Sequence, residues 1–382
     1  MTSFEGFRIG FDAKRAYTNR SGLGSYSRNI AVSLIRNYPS NKYILFTPRR
    51  HVPGVVFNDQ DFEVVTPRRP AFKIMPSVWR NFFMAGVAKK AGLDLFHGLS
   101  NELPRGMHKS GIPSVVTVHD LVFLKFPGFY QPADRLIYAR KVKYACQTAN
   151  KIIAVSSQTK NDLVQLLGID PEKIEVVYQP IAGRFFENHD KKRAEEVKLR
   201  YNLPENFILS VGTVEERKNQ LNILRAVVSK KIDREVIFVG RMTAYSRSLL
   251  GFISRHKLEK QVRFITELQD AELPSLYRLA GVLAYPSLYE GFGIPVIEAM
   301  ATGCPVLASD APCLPETAGG AAMLCNPTDP DVIGECLKTI LGNSRISSGL
   351  SGKGLVRAQV FKPENSAKNL VSVYESVLKD GK

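Results

Sequence analysis

The 382-residue sequence predicts an α/β chain of two successive domains, each built on a parallel sheet flanked by helices. Short β-branched runs alternate with longer helical patterns, and this alternation stops at a polar stretch and then starts again. Length agrees, because a single core seldom spans so long a chain. The composition, 44% hydrophobic and 23% charged with no low-complexity tract, is that of a globular protein.

In the first half, strands are predicted in FRIGFD, YILFT, FEVVT, DLFHG, SVVTVHD, KIIAVS and IEVVY, with helices in the intervals. The following GRFFENHDKKRAEEVKLRYNLPENF is polar and charged, suited to a linker and a surface helix. Strands resume in FILSVG, EVIFVG, VRFIT, GVLAYPS, CPVLAS and AAMLCNP. Each half opens with a strand, a turn of glycine or small residues, and a helix. The last segment, FKPENSAKNLVSVYESVL, reads as an amphipathic helix with Pro363 in its first turn. Open α/β sheets bind ligands outside the carboxyl ends of their strands, so two such domains are expected to face each other across a cleft. Gly22, Gly24, His119, Arg217, Lys218 and Glu290 all follow predicted strands and are expected beside it.

The formal net charge of +16 points to an anionic partner. Residues 1–185 hold 26 Lys+Arg against 13 Asp+Glu, a net of +13, whereas residues 186–382 hold 26 against 23, a net of +3. The basic surface therefore belongs to the first half. Within it, RRPAFKIMPSVWRNFFMAGVAKKAG mixes Arg68, Arg69, Lys73, Arg80, Lys89 and Lys90 with Trp79, Phe82, Phe83 and Met84. Such a segment either lies on an anionic membrane surface or buries one aromatic face in its own domain. Nucleic acid is not expected as a partner, since no recognised binding module accompanies the charge. No apolar signal core opens the sequence and no stretch approaches the roughly 18 apolar residues of a membrane span, so a cytoplasmic protein is expected. Cys146, Cys304, Cys313, Cys325 and Cys336 form no CxxC pair, which favours reduced, mostly buried thiols over disulfides or zinc.

The segment PSLYEGFGIPVIEAMATGCPV places Glu290 and Glu298 around Gly291-Phe292-Gly293 and Pro295. GVLAYPS is the strand, LYEGFG its loop, and IPVIEAMAT a helix that Gly303 ends. Amides of that helix start and of the glycines suit an anion, and carboxylates suit hydroxyl groups. A diphosphate between two polyhydroxylated rings fits both, with one glutamate for each sugar. Arg217 and Lys218 of GTVEERKNQ supply fixed cations that neutralise a diphosphate and support its departure.

EGFGIPVIE resembles the E-x7-E signature of the retaining glycosyltransferases of family 4, glycosyl transferases group 1. SGLGSYSRNI, TVHDLVF, AVSSQTKNDL, GTVEERKN, VRFITELQDAELPSLYRLA, VLASDAPCLPETAGGAAMLCNP and the final segment agree in order, so the resemblance covers nearly the whole chain. It implies the GT-B architecture: residues 1–184 an acceptor-side Rossmann-like domain, 185–360 a donor domain of the same kind, and 361–382 a helix crossing back to the first. It makes Glu298 the ligand of the donor ribose and Glu290 a contact to the transferred sugar. It gives Gly291, Phe292, Gly293 and Ile294 backbone contacts to sugar and phosphate, Arg217 and Lys218 the diphosphate, and His119 a place near the transferred sugar. Gly24 is included among the donor-binding residues, and the loop holding Glu267 and Leu268 is expected to meet the nucleobase. The sequence departs from the family at Gly22-Leu23-Gly24, where many members have adjacent glycines, and at Thr213, where many have arginine.

The resemblance further implies transfer of a hexose from a nucleoside diphosphate sugar to a glycan or lipid-linked acceptor hydroxyl, with retention, in polysaccharide or glycolipid synthesis. DLFHGLSNELP with TVHDL resembles mannosyltransferase-like members, which makes GDP-mannose the leading donor. Both glutamates are allotted to hydroxyls, so front-face attack is expected rather than a covalent intermediate. No cofactor or metal is expected: Asp59-x-Asp61 reads as a solvated turn, and Asp329 and Asp331 as a helix start. Alternatives from other classes are a dehydrogenase, for which G-x-G-x-x-S is a weak fingerprint, a GT-B sugar-nucleotide epimerase or phosphorylase, and a non-catalytic sugar-nucleotide binding protein.

Overall fold

A computed structural model describes residues 4–19, 22–50, 57–188 and 190–380. Arg20 and Ser21 of the first loop, His189 of the polar stretch and the Lys73 side chain lie outside the described residues. The chain divides into two compact units, Met1–Ala182 with Lys362–Lys382, and Gly183–Phe361.

In the first unit the strands are β1 (Arg8–Asp12), β2 (Lys42–Phe46), β3 (Glu63–Val65), β4 (Leu95–Gly98), β5 (Ser114–Val118), β6 (Lys151–Ala154) and β7 (Ile174–Val176). They form one parallel sheet in the order β3-β2-β1-β4-β5-β6-β7. The second unit holds β8 (Ile208–Val211), β9 (Val236–Val239), β10 (Val262–Ile265), β11 (Val282–Tyr285), β12 (Val306–Ser309) and β13 (Met323–Cys325). Its parallel order is β10-β9-β8-β11-β12-β13. Every predicted strand is present. The alternation is legible because helices cover both faces of a parallel sheet, so its central strands read as continuous apolar runs; β5, β9 and β11 are buried throughout.

In both sheets the direction of strand addition reverses beside the first strand, at β1/β4 and at β8/β11. Loops leaving these neighbouring strands diverge, which opens a crevice at their carboxyl ends. The expected sites are therefore sought there.

The helix Pro363–Asp380 belongs to the first unit. Ala367, Leu370, Val371 and Tyr374 pack into the core with Tyr26, Ile30 and Leu34 of the helix Gly22–Asn37. Burial of such a leucine or valine contributes roughly 1.5–3 kcal/mol each. A polar chain reinforces the apolar contact. Tyr374 Oη meets His97 Nδ1 at 2.7 Å, and His97 Nε2 meets Thr117 Oγ1 at 2.8 Å. Burial, with His119 nearby, pushes His97 down to about 3, so its ring is neutral.

The basic aromatic segment is divided between inside and outside. Trp79, Arg80 and Met84 are buried, whereas Phe82 and Phe83 are exposed along with Ile74 and Met75. Arg80 therefore leaves the expected basic surface: its guanidinium donates to Asp12 at 2.7 Å and pairs with Glu102. Arg68, Arg69, Lys89 and Lys90 remain exposed. No described helix is long and apolar enough to cross a membrane.

Candidate functional site

The second unit brings Arg217, Lys218 and Glu290 together at the β8/β11 crevice. Arg217 and Lys218 lie in a short 3-10 turn, Glu216–Lys218, that follows β8, and Glu290 lies in the loop after β11. The Arg217 carbonyl accepts from the Leu288 amide at 2.8 Å, which pins the two loops together. Asn219 closes the 3-10 turn at φ +60, a left-handed conformation that asparagine tolerates. Its side-chain amide donates to the carbonyls of Pro286 at 2.9 Å and Pro327 at 2.7 Å, so three loops share one anchor.

Glu290 is buried and fully engaged. One oxygen accepts from Lys218 Nζ at 2.6 Å and from Tyr285 Oη at 3.0 Å; the other meets Arg217 Nη1 at 2.8 Å. Burial alone would raise its pKa, but the charges of Arg217 and Lys218 outweigh it and hold the carboxyl at about 2. Lys218 is displaced downward by burial, with Glu290 opposing, and its ammonium also lies over the Tyr285 ring at 4.7 Å. Arg217 has further partners in Glu215 Oε1 at 2.6 Å and the Tyr289 carbonyl at 2.7 Å. The arrangement is a carboxylate seated on two cations, which can exchange that carboxylate for another anion.

Gly293 shows why this loop needs glycine. It stands at φ +98 at the start of the helix Ile294–Ala301, and a Cβ there would approach Leu314 Cδ2 to 2.5 Å. Phe292 is buried with its ring against Phe361, and its carbonyl accepts from Thr317 Oγ1. Its ring is thus committed to the core. Gly291 precedes it and Ile294 begins the helix, with Pro295 in the first turn.

Glu298 stands in that helix with different partners. Tyr277 Oη donates to its Oε2 at 3.0 Å. Although the residue keeps some exposed area, burial of its carboxyl pushes it up to about 7, opposed by the Tyr277 hydrogen bond and the Arg184 charge. The two glutamates are thus shifted in opposite directions. Leu268 lies half-buried and Glu267 exposed in the loop after β10. Thr213 follows β8 without contributing a cation; its carbonyl accepts from Gln220 at 3.0 Å.

In the first unit His119 follows β5 directly, and both ring nitrogens are occupied. Nε2 lies 2.9 Å from the Leu99 carbonyl, which only an N–H can satisfy, and Nδ1 lies 3.3 Å from the Gln179 amide nitrogen. Tyr26 packs edge-on against the ring. Burial pushes His119 down to about 4, so it is neutral near pH 7. Gly24 differs from the expected loop position. A short helix, Lys14–Thr18, intervenes after β1, and Gly24 is the third residue of the helix Gly22–Asn37. A Cβ on Gly24 would fall 1.9 Å from the Asn19 carbonyl oxygen, so the glycine permits a close backbone approach.

The other acidic pairs are accounted for locally. Asp59 accepts twice from Arg50 at 2.9 Å and from Tyr17 at 2.6 Å; Asp329 caps the helix Pro330–Gly342. Among the described residues no group of three or more His, Cys, Asp or Glu is placed to hold a metal ion. All five cysteines are free, four of them buried. Sequence reasoning passed over Tyr285, Tyr277 and Asn219. Only the place of Tyr285 at the end of an apolar strand, beside the loop it supports, could have singled it out.

Known proteins resemble the chain in both units. Residues 21–182 match Glycosyltransferase Family 4, and residues 191–350 match Glycosyl transferases group 1. The O-antigen chain mannosyltransferase B of Escherichia coli is 27% identical over 287 residues, covering 74% of each chain. The O-antigen chain mannosyltransferase RfbU of Salmonella typhimurium is 30% identical over 228 residues, 59% of this chain and 60% of that one. The crystal structure of Anabaena HepE in complex with UDP shares the fold, with a TM-score of 0.75 and 17% identity over 97% of this chain and all of that one.

Proposed function

The chain belongs to the family 4, group 1 glycosyltransferases, with their GT-B architecture of two Rossmann-like units, and from that premise we propose a specific reaction. It transfers a hexose, mannose first among the candidates, from a nucleoside diphosphate sugar to a hydroxyl of a glycan or lipid-linked acceptor, with retention at the anomeric carbon. The observation that carries this reading is the Glu290 carboxylate seated on Arg217 and Lys218. The mannosyltransferase names of the relatives support mannose, and GDP-mannose is the leading donor.

On this reading the donor diphosphate takes over the two cations and Glu290 turns to accept hydrogen bonds from hydroxyls of the moving sugar. Glu298 accepts from the ribose. As the bond from the anomeric carbon to the donor phosphate oxygen breaks, Arg217 and Lys218 stabilise the charge that collects on the diphosphate. The acceptor oxygen bonds to the same face of that carbon, and its proton passes to the departing phosphate oxygen. Two protein cations supply the electrostatics, so the reaction runs without divalent metal; loss of activity with a chelator and its return with manganese would contradict this. His119 is a neutral imidazole in the first unit, and a new contact at its Nδ1 requires Gln179 to yield.

Thermal-shift measurements with UDP, GDP, ADP and their sugars test the donor directly. Stabilisation by GDP-mannose, followed by mannose transfer to a glycan acceptor, is expected. No response to any nucleotide would refute the proposal. The exposed Ile74, Met75, Phe82 and Phe83 beside Arg68, Arg69, Lys89 and Lys90 support a peripheral position on anionic membrane. Flotation with anionic vesicles at low salt checks it, and absence of binding there would remove it.

A further inference from the structure

The first unit carries a cavity of about 540 Å³ that none of the residues discussed as donor ligands lines. Phe82 forms one wall, Arg105 and His108 from the loop after β4 a second, and Arg140, Lys141 and Tyr144 of the helix Pro132–Thr148 a third. The loop after β4 leaves the sheet at the β1/β4 reversal, where open α/β sheets take ligands.

Charge and shape define what this cavity suits. Three cations, Arg105, Arg140 and Lys141, face one carboxylate, Glu102, which the buried Arg80 already holds and which Lys141 reaches at 3.4 Å. Arg105 and Arg140 form no ion pair among the described residues. The Arg105 guanidinium instead lies over the Phe82 ring at 5.2 Å, which joins a cationic wall to an aromatic one. Tyr144 is held by the Gly106 amide at 2.9 Å, so the third wall is fixed. Towards its amino end the same helix exposes Leu136, Ile137 and Tyr138, at 52%, 48% and 38%. Ile137 precedes Arg140 by three residues and so shares its helical face. An anion site therefore runs into an apolar strip, and the full ligand needs both characters at once.

We propose that this cavity binds the phosphate end of a phosphorylated long-chain alcohol, with the chain laid along Phe82 and Ile137. As the carrier of the acceptor sugar, such a lipid deepens the proposed transferase reading and rests on it. Binding of the lipid phosphate does not.

Calorimetric titration of the full chain tests the binding, with dodecyl phosphate below its micelle-forming concentration as the probe. Dodecyl maltoside supplies the tail without the phosphate, and inorganic phosphate the anion without the tail. Saturable binding of dodecyl phosphate is expected, weakened about tenfold or more by the paired Arg105→Ala and Arg140→Ala changes, since charge-assisted contacts are lost. Phe82→Ala is expected to weaken it as well, and both control ligands to bind at least about tenfold more weakly than dodecyl phosphate. Equal binding of dodecyl maltoside, equal binding of inorganic phosphate, or unchanged affinity in the paired variant would each overturn the proposal. Arg140→Gln, a single change at an exposed residue, gives a second measure if the paired variant fails to fold. The thermal shift with GDP-mannose, taken on each protein, is expected to stay unaltered. Its absence from the parent chain would count against the donor reading alone, and loss of dodecyl phosphate binding against the cavity alone.

Discussion

The two strand reversals place opposite solutions on the same backbone geometry. At β1/β4, Asp12 and Arg80 form an ion pair whose side chains are 1% and 6% exposed, with Glu102, at 14%, on its outer side. At β8/β11, Glu290 sits on Arg217 and Lys218, whose side chains keep 20% and 12% exposure. Burial decides what each group of charges can do. A desolvated cluster is costly to break and locks its loops, whereas a partly hydrated one exchanges partners at small cost. The first holds structure, and on the proposed reading the second gives way to a ligand.

Arg80→Met gives the strongest test of that contrast. Stranding the buried Asp12 carboxylate, and leaving the half-buried Glu102 to Lys141 alone, is expected to lower stability by about 3–5 kcal/mol in urea denaturation, and a loss below about 1 kcal/mol would show that the cluster is not the lock. Lys218→Ala is expected to reduce kcat by about 10²–10³ while changing stability little, as when a group that stabilises developing charge is removed. If its unfolding midpoint falls as far as that of Arg80→Met, the two reversals do the same work. The glutamates should separate next. Glu298→Gln is expected to weaken nucleotide binding by roughly 1.5–3 kcal/mol, as hydrogen bonds to a charged group are lost. Glu290→Gln is expected to lower turnover and leave GDP bound at least as tightly, because the competing carboxylate is gone. Weaker GDP binding in Glu290→Gln would overturn this assignment.

The smallest effect is one of pH. Burial raises Glu298 to about 7, so its carboxyl is protonated below that value and charged above it. A charged carboxylate accepts from two ribose hydroxyls, so GDP-mannose affinity is expected to rise with pH, by at most about tenfold per unit below pH 7, and to level off above. Glu298→Gln should flatten the profile. A flat profile in the parent chain would place the titration elsewhere.

The fold was legible because burial on both sheet faces writes each central strand as an apolar run, and every such run proved to be a strand. Arg217, Lys218 and Glu290 could be placed for a related reason, since each lies in the loop that follows a strand of that kind. What lay hidden depended on distance across elements. Nothing near Glu290 in sequence announces that Tyr285 donates to it, and nothing near His119 announces Leu99 and Gln179 as its partners. The basic aromatic segment divides between inside and outside for a geometric reason. Trp79–Phe83 forms a π-helical turn, with Met84 donating five residues back to Trp79, so a 3.6-residue wheel drifts out of phase there. Trp79 and Arg80 turn inward and Phe82 and Phe83 outward as a result.

The place of Pro363–Asp380 in the first unit has a consequence for synthesis. The second unit is one unbroken stretch, Gly183–Phe361, threaded between two pieces of the first. A growing polypeptide can therefore complete its second unit while the first still lacks Leu370, Val371 and Tyr374, with His97 awaiting its phenol. The unit begun earliest on the ribosome is the one finished last. Until then the apolar face of Tyr26, Ile30 and Leu34 lacks the helix that covers it.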